Sequence, residues 1–360
     1  MYMPDNGQPL RELNYADAIR EAYAIALERD PRVYLIGLGV PDPKGFFGTT
    51  SGLHTRFGPD RVMDMPCAEN GMTGIVLGSS LNGMRPVLNH QRLDFALLTL
   101  DQICTQAAKW HYMFGGIMKA PMVVRMILGR GWGQGPQHSQ SLHSWFAHIP
   151  GLKVAMPATA HDAKGMMIAA IEDDNPVVFI DHRWLHHVKG HVPEGHYTVP
   201  LGSARIAREG TDVTIVAFSY MVLEAMEAAA KLSTIGIEAE VLDYRCLRPL
   251  DAETLVTSIR KTKRLVVADA AWGTAGMSAE ILALVAERAH GTLNAAPRRV
   301  CLPDCPTPTT PALADHYYPR SGHIVAAVRE VTGLPADGAD LAIPAGIELD
   351  KPNPAFTGPF

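Results

Sequence analysis

The chain has 360 residues, 47% hydrophobic and 19% charged, with a formal net charge of −5, which is length enough for two domains that each bury a core. No run of like charges gives a footprint for nucleic acid or an anionic membrane, and Gly (32) and Pro (27) follow no collagen-like or low-complexity period. Five cysteines at irregular spacing suggest no disulfide framework, and neither a membrane-length apolar run nor a signal peptide is read, so a cytoplasmic globular protein is expected.

In chain order, Asn14 reads as an N-cap for a helix over Tyr15 to Arg29, with Ala18, Ile19, Ala22, Ile25 and Ala26 on one face. A strand over Val33 to Ile36 follows, then a small-residue helix over Gly71 to Leu81 and a strand over Arg85 to Leu88. A long helix is expected over Phe95 to Met113, before an apolar strand over Met122 to Leu128. Strands over Lys153 to Met156 and Val177 to Ile180 flank a helix over His161 to Glu172. This alternation indicates parallel α/β layering in a first domain, residues 12–189.

Residues 190–203 turn to Gly, Pro and His and read as a linker. A second domain, residues 204–332, repeats the alternation with strands over Val213 to Ala217, Ala239 to Leu242, Leu265 to Ala268 and Arg299 to Leu302. Helices over Met221 to Thr234, Ala252 to Lys261, Gly276 to Ala289 and Ser321 to Thr332 accompany them. Four strands joined by helical crossovers make an open, mostly parallel sheet. Residues 333–360 form a tail rich in Pro, Ala and Asp.

Nine of the fifteen histidines fall between His138 and His196. His182 and His186, like His187 and His191, are spaced as a helical metal pair would be, but they follow a strand and enter a Gly-Pro segment. Surface or interface histidines are the simpler reading. Cys301 and Cys305 lack a second pair for zinc. Gly129 to Gly135 matches neither phosphate-loop spacing and reads as an active-site loop. Glu69, in Asp64-Met-Pro-Cys-Ala-Glu69-Asn-Gly71, stands where an irregular segment enters a helix. A glutamate there commonly serves the helix dipole.

Ala68-Glu69-Asn-Gly71, Arg85-Pro86, Asp101-Gln102, Gln137-His138-Ser139-Gln140, Pro150-Gly-Leu-Lys-Val154 and Asp173-Asp-Asn-Pro176 occur in that order, followed by Leu247-Arg248-Pro249-Leu250-Asp251. Together they resemble the β subunit of the thiamine diphosphate-dependent, decarboxylating component of 2-oxo acid dehydrogenases, in the transketolase-like superfamily. The likeness runs over residues 12–332. It implies an α/β pyrimidine-binding domain followed by a transketolase C-terminal domain.

The resemblance also implies roles. Glu69 matches the glutamate that hydrogen-bonds N1′ of the cofactor's aminopyrimidine, favouring the imino form whose 4′-nitrogen takes the thiazolium C2 proton; desolvation suits a carboxylate to that shared proton. Phe95 matches the aromatic beside the pyrimidine, and Gln91 stands where relatives tend to carry an apolar residue near it. His138 matches a histidine facing C2. The carbonyls of Met122, Ala170, Ile171, Asp173 and Asn175 match positions that hold a structural potassium ion. The superfamily's Gly-Asp-Gly motif for diphosphate and Mg²⁺ does not occur in this chain. A separate α subunit is therefore implied, in an α2β2 assembly, with a lipoyl acyltransferase core as a further partner.

Three segments depart from the family pattern. Gly37-Leu-Gly-Val40 replaces a Gly-Glu-Glu/Asp-Val run, Asn89-His90 replaces a glutamate after the Arg-Pro strand, and Asp181-His-Arg-Trp-Leu-His186 replaces a segment that commonly begins with Glu and ends in Leu-Tyr. All lie on the substrate side of the family fold. The leading expectation is oxidative decarboxylation of a 2-oxo acid with acyl transfer to a lipoyl group. The alternative is a split transketolase-like or acyloin-forming enzyme that passes a two-carbon or acyl unit to an aldehyde or sugar. A non-catalytic scaffold is disfavoured by Glu69 and His138.

Overall fold

A computed structural model describes residues 11–130 and 134–336; Gly131, Trp132 and Gly133 of the glycine-rich loop and nearly all of the 333–360 tail lie outside the described residues. The described residues divide into two compact units, one of residues 11–129 and 145–201, the other of residues 130–144 and 202–336.

Six strands of the first unit run parallel in the spatial order Lys153–Ala155, Val177–His182, Val123–Leu128, Arg85–His90, Val33–Ile36, Val62–Met63. Every residue of Val33–Ile36, Val123–Leu128 and Val177–His182 is buried, as expected of parallel strands covered on both faces. Their mainly apolar runs are why the sequence placed them within two residues. Helix Tyr15–Arg29 starts where the Asn14 side chain accepts from the Asp17 amide at 2.7 Å. It buries Ala18, Ile19, Ala22 and Ala26 and packs on helix Ala160–Glu172, while Ile25 is half-buried. Between these helices Lys164, wholly buried, donates to Glu21 Oε1 at 2.7 Å and to the Pro193 carbonyl at 2.6 Å. Two charges and a carbonyl thereby fasten the chain that leaves the sheet.

Two readings change in this unit. The stretch expected as one helix is a 3-10 segment Leu93–Thr99, a π-helical segment Asp101–Ala107 and an α-helix Ala108–Met113. Apolar spacing does not separate these three windings. Packing of both non-α segments against helix Glu69–Leu81 accompanies the change, with the Gln102 side chain against Gly74. The start of the supposed linker is a short strand, Lys189–His191, paired antiparallel with Glu12–Asn14. Three residues with no apolar alternation carry little strand signal.

The second unit holds four parallel strands in the order Arg298–Leu302, Leu265–Trp272, Val213–Ala217, Ala239–Asp243, with Arg205–Arg208 antiparallel at the edge. The edge strand reads Arg-Ile-Ala-Arg and has no buried residue, so burial periodicity did not mark it. Helices Met221–Ser233, Ala252–Thr262, Met277–Arg288 and Ser321–Val331 match the expected crossovers. Asp251 caps the second of them, accepting from the Thr254 amide at 3.1 Å. No helix among the described residues is long and apolar enough to cross a membrane.

Candidate active site

The strands of the first unit all end on one side of the sheet, where ligands of open α/β folds bind. There, after Val33–Ile36, Gly37 approaches the next strand so closely that a Cβ would stand 2.4 Å from the Asn89 carbonyl oxygen, and Gly39 adopts φ +76°. Only glycine suits either position. The turn they make is held from both sides: the Gly39 amide donates to Asp64 Oδ1 at 3.0 Å, and Gln91 Nε2 donates to the Leu38 carbonyl at 3.1 Å. This joins Gln91 to the segment that leads into Glu69.

Glu69 is the first residue of helix Glu69–Leu81. The helix begins there because Pro66 and a non-helical Ala68 (φ −149°, ψ 62°) precede it, and the Ala68 carbonyl accepts the Met72 amide at 2.9 Å. The carboxylate is half-buried, and among the described residues its hydrogen-bonding contact is the Cys67 thiol, 3.8 Å from Oε1. Among the described residues no cation is paired with it. That leaves its oxygens able to share a proton with an incoming ring nitrogen. The helix packs on Leu93–Thr99, which carries a half-buried Phe95. Glu69, Gln91 and Phe95 are thus on elements that contact or tie to one another in a single unit, and this donor, aromatic and amide set fits an aminopyrimidine.

His138 lies in the second unit, half-buried, its amide donating to the Gly135 carbonyl at 3.2 Å. The five carbonyls expected to face potassium cluster at the opposite edge of the first sheet. Ala170 and Ile171 end helix Ala160–Glu172, Asp173 caps it, and its side chain accepts from the Asn175 amide at 2.9 Å. The Met122 carbonyl accepts from Val177, and those of Ile171 and Asp173 accept from Arg85 Nη1 at 3.0 and 2.9 Å. Two of the five therefore already face a cation.

Motif reading missed a buried charge network in the interior strands of the same sheet. Arg125, wholly buried, makes two parallel bonds of 2.8 Å to Asp181, from Nε and Nη2, and donates through Nη1 to Thr49 Oγ1 at 2.7 Å and to Asn89 Oδ1 at 3.4 Å. Tyr23 donates to the same Asn89 oxygen at 2.9 Å, and His186 Nε2 lies 2.5 Å from Asp181 Oδ2. Burial alone would raise the Asp181 carboxyl, but Arg125 and His186 outweigh it and hold it at about 2. Burial pushes His186 down to about 4 against the pull of Asp181, so it is a neutral donor at neutral pH. His90 is likewise pushed down to about 4 by burial. Arg92 and Arg183 both lie over the Phe47 ring, at 5.6 and 5.2 Å, and burial lowers Arg183 to about 10.

The reading of His182 and His186 as surface histidines is corrected: both are buried, and the His182 ring fills the space beside Gly129. Among the described residues no group of three His, Cys, Asp or Glu side chains could hold a metal. A single charge inside an otherwise apolar strand, Arg125 in one and Asp181 in its neighbour, was the available signal for this network.

The chain matches the transketolase pyrimidine-binding domain over residues 11–187 and the transketolase C-terminal domain over residues 202–324. The acetoin:2,6-dichlorophenolindophenol oxidoreductase subunit beta of Cupriavidus necator is 43% identical over 330 residues, which cover 89% of this chain and 97% of the relative. The chain belongs to the thiamine diphosphate-dependent β subunits of the 2-oxo acid dehydrogenase type. Further members of this β-subunit family include the Bacillus subtilis protein of the same name, 42% identical over 91% of this chain and 99% of the relative. The pyruvate dehydrogenase E1 component subunit beta of Rickettsia conorii is 39% identical over 89% of this chain and 98% of the relative. A solved structure described as a split gene transketolase, inactive beta4 tetramer, superposes with a TM-score of 0.73 at 25% identity, covering 89% of this chain and 99% of that one. Two transketolase-like α/β domains, as expected from the motif order, are thereby established.

Proposed function

We propose that this chain is the β subunit of a 2-oxo acid dehydrogenase, carrying the pyrimidine half of a thiamine diphosphate site and acting with an α subunit that supplies the diphosphate and Mg²⁺ half. Domain bounds of 12–189 and 204–332, joined through 190–203, go with this reading. The bound cofactor supplies an electron sink for decarboxylation and a carrier for the acyl group. Glu69 would share a proton with N1′ of the aminopyrimidine, the exchange that shifts its tautomer. Phe95 lies against the ring, Gln91 borders it, and His138 moves protons at the reacting carbon and the acyl acceptor, a lipoyl group. Potassium on the carbonyls of Met122, Ala170, Ile171, Asp173 and Asn175 completes the reading.

The observation that carries it is the Glu69 carboxylate, half-buried at a helix start with no cation paired to it, within a chain 38–43% identical to β subunits of this type. The test is Glu69→Gln, assembled with its α partner: turnover falls by about 10²–10⁴-fold, and deuterium exchange at the cofactor C2 slows in parallel. Near-normal exchange would sink the assignment.

A second reading has an observation of its own. Two relatives, at 43% and 42% identity, are named for acetoin oxidation, and the His- and Arg-rich edge around Phe47 departs from the family pattern. The donor would then be an acyloin, or the acceptor an aldehyde or sugar, with the same cofactor activation. Product analysis of the assembled enzyme with a 2-oxo acid, acetoin and an aldehyde separates the two.

A further inference from the structure

His143 and Asp269 are both buried to 1% exposure, with His143 Nε2 3.2 Å from Asp269 Oδ1. Among the described residues neither side chain makes a hydrogen bond of ordinary geometry, so each polar tip has only the other facing it. An imidazole and a carboxylate taken out of water are costly unless they face each other. Such a pair is retained where it fixes one arrangement over others, and its position says which arrangement that is.

His143 begins helix His143–His148, immediately after Gln137-His138-Ser139-Gln140. Asp269 stands in strand Leu265–Trp272, at the place where its pairing with Arg298–Leu302 slips between Ala268 and Trp272. The irregularity frees that residue from the even register of the sheet. Three further contacts fasten the same loop to the same unit: Arg130 Nη2 donates to the Thr309 carbonyl at 2.7 Å, Thr307 Oγ1 donates to the Ser139 carbonyl at 3.4 Å, and Gly135 lies where a Cβ would stand 2.1 Å from Thr309 Oγ1. The first two are backbone-directed and the third is steric. His143–Asp269 is a contact between side chains, and it lies at the other end of the loop in sequence from Arg130.

We propose that His143 and Asp269 are positioning residues that fix the loop bearing His138 onto the C-terminal unit. They hold the His138 backbone in one place so that its imidazole meets the reacting atoms in a single pose. This rests on the role proposed above for His138. Neither residue touches substrate. The C-terminal unit thereby acquires a part in catalysis although it carries none of the pyrimidine-binding side chains.

The experiment is hydrogen–deuterium exchange of residues 134–142 in the assembled protein without cofactor, comparing wild type, Asp269→Ala and Asp269→Asn. In Asp269→Ala the loop exchanges about tenfold faster while strand Val213–Ala217 is unchanged. With cofactor, kcat falls about tenfold and KM for the donor stays within about twofold, since misplacing a group costs rate rather than binding. Asp269→Asn, which keeps a polar side chain of the same size facing His143, restores both. Should Asp269→Ala not assemble, His143→Phe carries the same two outcomes. Unchanged loop exchange, or loop and strand loosening equally, overturns the proposal. Loop exchange is read without cofactor, so it decides the anchoring even where near-normal C2 exchange in Glu69→Gln sinks the proposed function.

Discussion

The two ends of the first unit's sheet hold similar charges in opposite ways. At the amino end, Arg85 is about one-seventh exposed and divides its guanidinium among the Ile171 and Asp173 carbonyls and the Asp174 carboxylate, 2.6 Å from Nη2. A cavity of about 240 Å³ opens beside it, lined in part by Arg29, Arg32 and Glu172. Towards the carboxyl end, Arg125 and Asp181 have no exposure at all and bond to each other and to Thr49, Asn89 and His186. Water can replace a lost partner at the first end and cannot at the second. The end at which open α/β folds bind their ligands is also the one whose charges are least replaceable.

Breaking the buried pair therefore has the largest expected effect. Asp181→Asn leaves Arg125 charged in a dry interior and is expected to cost about 3–5 kcal/mol of stability, read as a lower urea midpoint. Replacing both partners, as Arg125→Met with Asp181→Leu, is expected to return most of that, because two desolvation penalties vanish together. A double variant as unstable as Asp181→Asn would mean that Thr49 and Asn89, not the ion pair, set the stability of this end.

The folding of this end was legible, and its charge network was not, for one reason. Val33–Ile36 and the stretch Val177 to Ile180 announce themselves as apolar runs, whereas the partner of Arg125 depends on which strands become neighbours, which the runs alone leave open. The ordered motifs made Glu69, Gln91, Phe95 and His138 nameable, since each sits next to a short, recognisable word. His182 and His186 illustrate the converse: their spacing is helical, but a strand end and a 3-10 turn, Arg183–Leu185, carry both rings inward. The His143–Asp269 contact spans 126 positions between residues 143 and 269 and leaves no local pattern to read.

Acidity sharpens the comparison next. His90 and His186 are buried and held near 4, below the ordinary imidazole value of 6.5. Between those values the unfolded chain binds protons that the folded chain does not, so stability rises with pH through that window and is lost as pH falls from 6.5 towards 4. Each group contributes on the order of 1–3 kcal/mol to that loss. Asp181, held at about 2, keeps its charge throughout and adds its own loss only as pH approaches that value. Urea midpoints measured from pH 7 to pH 4.5 are expected to fall in wild type and to fall less steeply in His90→Phe. An unchanged slope in that variant would remove His90 from the account.

The amino end predicts the smallest change and tests the potassium reading at the same time. Arg85→Ala removes charge-assisted bonds from a partly exposed guanidinium and is expected to cost about 1–2 kcal/mol, because water can reach the freed carbonyls. Those carbonyls, of Ile171 and Asp173, belong to the proposed potassium set. Taking away a like charge that shares them favours an added cation, since two positive charges a few ångströms apart repel more strongly than bulk water screens. The thermal midpoint in potassium chloride, relative to choline chloride at equal ionic strength, is therefore expected to rise more in Arg85→Ala than in wild type. Equal differences in the two proteins would leave Arg85 as the cation these carbonyls serve, and would take Ile171 and Asp173 out of the potassium site.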